Sequence, residues 1–162
     1  DKDAVVASML IAEMFAWYKS KGLTLYDALI KLFEKYGYAR EALDSFTLKG
    51  KEGLEKIQNA MAVLREEMPE RFGDTVIKAV RDYKTGFRTD MKTGRKEALT
   101  LPKSNVLYYE TDEGFWFCIR PSGTEPKIKI YYGVSGSSGE ASEKTLCILR
   151  DNVLSKLKPL LE

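Results

Sequence analysis

The stretch FWFCIRPSGTEPKIKIYYGV, Phe115 to Val134, constrains the fold more than any other part of the chain. Two strand-like runs flank seven residues, RPSGTEP, which carry two prolines, a glycine, two hydroxyls and one arginine. In the first run Phe115, Phe117 and Ile119 share one face, and Trp116, Cys118 and Arg120 share the other. In the second run Ile128, Ile130, Tyr132 and Val134 lie opposite Lys127, Lys129 and Tyr131. Period two is the signature of a strand with one face buried. If the aliphatic set faces a core, Arg120, Lys127 and Lys129 converge on the uncovered face beside the turn, with Glu125 as the local offset.

The rest of the chain predicts what covers the aliphatic face. From Leu43 on, LDSFTLK alternates as a strand, and Lys51–Glu67 carries Leu54, Ile57, Met61 and Leu64 at helical spacing before Met68-Pro69 ends it. Strands follow over Thr75–Tyr83, Asn105–Glu110, Phe115–Ile119 and Lys127–Val134, with Asp112-Glu113-Gly114 as a hairpin turn. The connector SGSSGEAS leads to a last helix, about Glu140–Leu157, with one apolar face. Residues 43–162 therefore read βαββββα, an α+β fold with an antiparallel sheet and two helices, most simply on one face. Residues 84–103, basic and holding two Thr-Gly pairs, read as a long exposed loop.

Two helices precede this pattern. AVVASMLIAEMFAWY is apolar nearly all round, with Asp1 and Asp3 suited to its start and Gly22 to its end. Such a helix is either the centre of a core or has lost natural neighbours. Residues 25–36 form a second helix, with a Thr24/Asp27 capping signature, a stripe of Leu25, Leu29, Leu32, Phe33 and Tyr36, and Gly37 as its stop. Tyr38–Asp44 reads as a linker.

Composition narrows the function classes. Of 162 residues 31% are charged, yet the net charge is only +2, which does not call for nucleic acid. The segment Lys78–Lys103 is locally basic, with eight Lys or Arg against Asp82, Asp90 and Glu97, but its loop Lys84–Lys103 lacks interleaved aromatics beyond Phe87. There is no histidine, which removes Ser-His and Cys-His dyads and histidine metal sites. Cys118 and Cys147 form neither a CxxC motif nor a disulfide framework, which favours a reducing cytoplasm. The apolar run Ala4–Tyr18 is too short and too polar to span a membrane.

The RPSGTEP turn suits a phosphate. Arg120 offers a planar fork of donors, Ser122 and Thr124 offer hydroxyls, and Gly123 lets backbone N–H groups approach an anion. Pro121 and Pro126 limit the entropy lost on binding. The same residues also fit a plain hairpin turn with a surface arginine, and Lys127 and Lys129 fit solvated strand lysines. The pattern is not a Walker A loop, since it lacks GxxxxGK(S/T).

RPSGTEPKIKIYY, together with LPKSNVL at Leu101–Leu107 and the opening DKDAVVASMLIAEM, resembles the phosphoglucomutase and phosphomannomutase family, the α-D-phosphohexomutases. The resemblance covers nearly the whole chain, and the extended TEPKIKIYY form is most similar to bacterial phosphoglucomutases and their phosphopentomutase-like relatives. It implies a four-domain parent with a phosphoserine domain, a magnesium-binding DGDxDR-type loop, a GEESYG-type sugar loop and, in the fourth domain, the RPSGTEP loop. The first three motifs do not occur here. The resemblance implies that residues 1–39 are the last helices of the third domain, an α/β domain. Residues 40–162 would be the fourth, with a TATA-binding-protein-like fold and a phosphate loop at 120–126.

What the resemblance implies about chemistry is positional. The parent interconverts hexose 1-phosphate and hexose 6-phosphate through a phosphoserine and a bisphosphate intermediate, in the cytoplasm. Its cofactors would be Mg²⁺, bound outside this chain, and a glucose 1,6-bisphosphate-type activator. Arg120, Ser122, Gly123 and Thr124 would hold the phosphate that is not reacting, with Lys127 and Lys129 as supplementary charge. Lys2, in a DKD segment like one near the family's active site, is either an active-site lysine or a helix-start lysine. The expected partners are a small sugar phosphate and the other domains of the same protein, with neither nucleic acid nor membrane. The chain alone would be inactive and would carry no metal site. The alternative is a free-standing, non-catalytic module that binds phosphorylated ligands.

Overall fold

The computed structural model describes residues 3–162, in two compact units, residues 3–38 and 39–162. The expectation for Asp1 lies outside the described residues.

The first unit is a helix pair, α1 (Ala4–Ser20) and α2 (Leu25–Tyr36). The Asp3 carboxylate accepts from Val6 N–H at 2.9 Å and caps α1. Gly22, at φ +71°, closes it with Gly22 N–H on Lys19 O and Leu23 N–H on Tyr18 O, both 3.0 Å. The α2 capping box forms as expected, with Asp27 N–H on Thr24 Oγ1 at 3.1 Å and Thr24 N–H on the Asp27 carboxylate at 2.8 Å. No residue of α1 is buried, and in α2 only Ala28 is.

The second unit is an α+β sandwich of one sheet and two helices. Its elements are β1 (Tyr38–Thr47), α3 (Gly50–Glu67), β2 (Arg71–Phe72), β3 (Thr75–Asp82), β4 (Phe87–Asp90), β5 (Lys96–Ala98), β6 (Leu107–Thr111), β7 (Trp116–Pro121), β8 (Lys127–Gly136) and α4 (Gly139–Leu161). The sheet order is β1-β8-β7-β6-β3-β4-β5, with β2 paired to β3, and the β3–β6, β6–β7 and β7–β8 ladders are all antiparallel. One hydrophobic core joins Ile57, Met61 and Leu64 of α3 and Leu149, Val153 and Leu157 of α4 to Phe117, Ile119, Ile128, Ile130 and Tyr132 of the central strands. Both helices thus cover the same face, and the other face of the sheet is left uncovered. Each fully buried large side chain contributes about 1.5–3 kcal/mol. Phe72, Tyr109 and Phe117 add a mutual aromatic cluster with centroids 4.6–5.0 Å apart.

Two expectations need correction. Tyr38–Asp44 is not a linker but the greater part of β1. Its inward positions are Ala42, Asp44 and Phe46, so one is small and one is charged, while Leu43 points outward at 50% exposure. The apolar alternation was therefore hidden. Asp44 is buried because Arg150 of α4 grips its carboxylate with two donors, the Nε bond being 2.7 Å.

Residues 84–103 are likewise not a loop throughout, since they contain the β4–β5 hairpin, in register Phe87↔Ala98 and Thr89↔Lys96. Thr93-Gly94 lies in its turn, and Thr85-Gly86 in the turn from β3 into β4. The Asp90 carboxylate accepts from Thr93 N–H at 2.8 Å and Oγ1 at 2.7 Å, and Gly94 takes φ +69°. Besides its antiparallel ladder to β3, β4 is tied to the sheet by charge. Glu110 of β6 accepts from Arg81 of β3 at 2.6 Å and from Arg88 of β4 at 2.8 Å. An apolar period has no access to that signal. The short strand β2 was also missed, and it carries the wholly buried Phe72.

Candidate phosphate-binding site

The β7–β8 hairpin presents the loop 122–126 at the rim of the uncovered face. Register pairs Arg120 with Lys129 and Cys118 with Tyr131, so all four point away from the helices. Ser122 N–H donates to Lys127 O at 2.7 Å and Lys127 N–H to Glu125 O at 2.7 Å, which closes the turn. The Ser122 hydroxyl accepts from Thr124 N–H at 3.4 Å and Glu125 N–H at 3.3 Å, a serine turn that leaves its own proton free to donate. Gly123 N–H has no partner among the described residues. A Cβ at Gly123 would meet nothing within 4 Å, so the space above the loop is open.

Arg120, Ser122, Gly123, Thr124, Lys127 and Lys129 all line one concave pocket of about 370 Å³, which Pro121, Glu125 and Tyr131 complete. Every site residue read from the sequence beyond residue 2 is thus brought together. Lys2 lies outside the described residues. Tyr131 is the lining residue that sequence reasoning put on the right face but not in the site.

Charge sets this pocket apart. The other arginines of the uncovered face are neutralised, Arg81 and Arg88 by Glu110. Among the described residues Arg120, Lys127 and Lys129 have no carboxylate partner. Like charges directly opposite on a ladder repel, and Arg120 faces Lys129 across one. A bound anion removes that repulsion.

Next to the pocket the face is closed by its own aromatics. Trp116 stacks on Tyr108 with centroids 5.3 Å apart at 14°, and Arg81 lies 5.1 Å over Tyr108. Burial pushes the Cys118 thiol up to about 11, against a smaller opposing pull from Arg120, so at neutral pH it is no thiolate nucleophile. No group of three or more His, Cys, Asp or Glu among the described residues is placed to hold a metal. No described helix is long and apolar enough to cross a membrane. The site can bind and orient an anion.

The phosphoglucomutase of Staphylococcus epidermidis is 38% identical over 135 residues, 83% of this chain and 24% of that protein. The phosphoglucomutase of Staphylococcus aureus (strain bovine RF122) is 40% identical over 131 residues, 81% of this chain and 24% of that protein. The chain thus spans about a quarter of the length of these relatives. Among solved structures, the open form of parafusin, a phosphoglucomutase from Paramecium, matches 96% of this chain and 27% of its own with a TM-score of 0.59 at 14% identity, a likeness of fold alone. The family described as phosphoglucomutase/phosphomannomutase, C-terminal domain, matches residues 51–144, and this chain belongs to it.

Proposed function

We propose that this chain is the phosphate-holding part of a phosphoglucomutase/phosphomannomutase-type enzyme, an intramolecular phosphotransferase of carbohydrate metabolism that interconverts hexose 1-phosphate and hexose 6-phosphate. Residues 1–39 are the last helices of the preceding α/β domain, and residues 40–162 are the fourth domain. The single observation that carries the reading is the convergence of three unpaired cations with the free N–H of Gly123 in one pocket.

In this reading Arg120 grips the non-reacting phosphate with two parallel N–H donors. Ser122 donates its hydroxyl proton while its oxygen keeps the turn closed, Gly123 donates its N–H, and Thr124 adds a hydroxyl. Lys127 and Lys129 supply field rather than fixed geometry. The pocket orients the sugar phosphate and forms no covalent bond, so the chain alone turns nothing over. The phosphoserine, the Mg²⁺ and the sugar-recognition groups belong to other domains of the same cytoplasmic protein. The bisphosphate-type activator would present its idle phosphate to the same loop. No described residues of this chain form a ligand set for Mg²⁺.

Titration of the chain with glucose 1-phosphate, followed by amide shifts of Gly123 and Thr124, tests this. One charge-assisted bond is worth about 1.5–3 kcal/mol, so Arg120→Ala weakens binding roughly ten- to a hundredfold. Unchanged binding in that variant would exclude Arg120 as the phosphate fork.

A further inference from the structure

The loop 122–126 makes its hydrogen bonds within its own hairpin, with one exception. Leu48 N–H donates to Pro126 O at 2.9 Å. Leu48 lies in the turn between β1 and α3, nearly eighty residues away in the chain. It is itself held from below. A Cβ at Gly53, in the first turn of α3, would fall 2.5 Å from Leu48 Cβ and 3.0 Å from its carbonyl carbon. Those are backbone-level contacts that no rotamer change relieves. Gly53 N–H also donates to Lys49 O at 3.1 Å, which ties the helix start to the same turn. Gly50, at φ +63°, lets the chain swing from Leu48 into the helix. Glycine inside a helix is otherwise unfavourable relative to alanine. Here it is what lets Leu48 lie against α3 with its N–H aimed at the loop.

We propose that Leu48, seated on Gly53, is a positioning residue for the phosphate loop. It fixes the Pro126 carbonyl, and through it the start of β8 where Lys127 and Lys129 stand, relative to Arg120 at the end of β7. The inference rests on the phosphate-binding reading above. It adds that the site's geometry is set from the far side of the hairpin by two residues that touch no ligand.

The test uses the 162-residue chain, ¹⁵N-labelled, and inorganic phosphate. Gly53→Ala pushes Leu48 outward. Without phosphate, the Leu48 amide then exchanges at least about tenfold faster, because an opened hydrogen bond no longer protects it, and the Glu125 and Lys127 amides shift. With phosphate, the apparent affinity read from Gly123 and Thr124 falls on the order of tenfold, as expected when a binding group is displaced by a fraction of an ångström or more. The urea midpoint falls, since the clash with Leu48 outweighs the helix preference of alanine. Leu48→Pro deletes the donor without adding bulk at position 53, and lowers the phosphate affinity in the same way. It keeps the question answerable if Gly53→Ala folds poorly. A wild-type chain that ignores phosphate overturns the binding reading and this inference with it. A wild type that binds phosphate, with both variants binding equally well, overturns the positioning role alone.

Discussion

At Gly133 the sheet has room for a hydrogen and nothing more. The indole of Trp116 occupies the space where a Cβ would stand, and it is held there by stacking on Tyr108. Trp116 and Gly133 are cross-strand partners, so the ring lies flat over β8 and shields that part of the uncovered face from water. Gly133→Val expels the ring. Overpacking of this kind costs about 1–3 kcal/mol, to be read as a lower urea midpoint together with a red shift of tryptophan emission as Trp116 becomes wet. The other tryptophan, Trp17, is already 51% exposed and contributes little to that change. An unchanged emission maximum would mean the ring does not seal the face. Ser122 makes a related point about economy. Its oxygen shapes the loop, and in the proposed role its proton goes to the ligand, so one hydroxyl would serve both geometry and binding.

Among the elements, α1 stands out because nothing buries it. Val5 is 72% exposed, Met9 68% and Leu10 60%, on a helix that is apolar nearly all round. The sequence left open whether this helix is a core centre or has lost neighbours. Its exposure argues for the second. An exposed apolar stripe of this kind is a common interface, so the chain self-associates as its concentration rises, through Val5, Met9, Phe15 and Trp17. Met9→Glu combined with Phe15→Glu is expected to shift sedimentation at high concentration toward the monomer. If the double variant associates as strongly as wild type, α1 is not the contact. The β4–β5 hairpin is the opposite case. It carries almost no apolar face, and its arginines are tied to Glu110 and Glu97 rather than to the core. This explains why helical and strand periodicity find α2, α3 and β8 while passing over β4 and β5.

For the whole molecule, acid stability is expected to depend on two carboxylates, Asp44 between strand and helix and Glu110 between strands. Arg150 beside Asp44 holds that carboxyl below the usual carboxylate range, against its burial. The Arg88 hydrogen bond, helped by Arg81, does the same for Glu110. A depressed folded pKa means that the unfolded chain binds protons more readily. The stabilisation is therefore complete above the unfolded values, about 3.9 for Asp and 4.3 for Glu, and is lost as pH falls through the lower folded values. Urea midpoints measured from pH 6 down to pH 3 are expected to fall in the last unit and a half. Asp44→Asn is expected to be less stable at pH 6 by about 1–3 kcal/mol, with a flatter acid limb. The range is intermediate because Arg150 keeps about half its side chain in water and rehydrates when its partner goes. An acid limb unchanged by Asp44→Asn would show that the Asp44–Arg150 pair is not what acid breaks.

Local chain geometry was enough to determine which faces the central strands present. Period two along β7 and β8 places Arg120, Lys127 and Lys129 opposite Ile119, Ile128 and Ile130, whatever surrounds them, because successive Cβ atoms alternate on any strand. The same holds for the α2 capping box and for the α3 stripe, which are decided within four residues. Tertiary structure alone decided which cations stay free. Arg81 and Arg88 are as basic as Arg120 in the sequence, but Glu110 comes from a strand twenty-two or more residues away and reaches only the first two. It alone decided that Asp44 could be buried, because Arg150 lies more than a hundred residues on. And it alone brought Leu48 under the phosphate loop, since contacts distant in sequence leave no period for the chain to display.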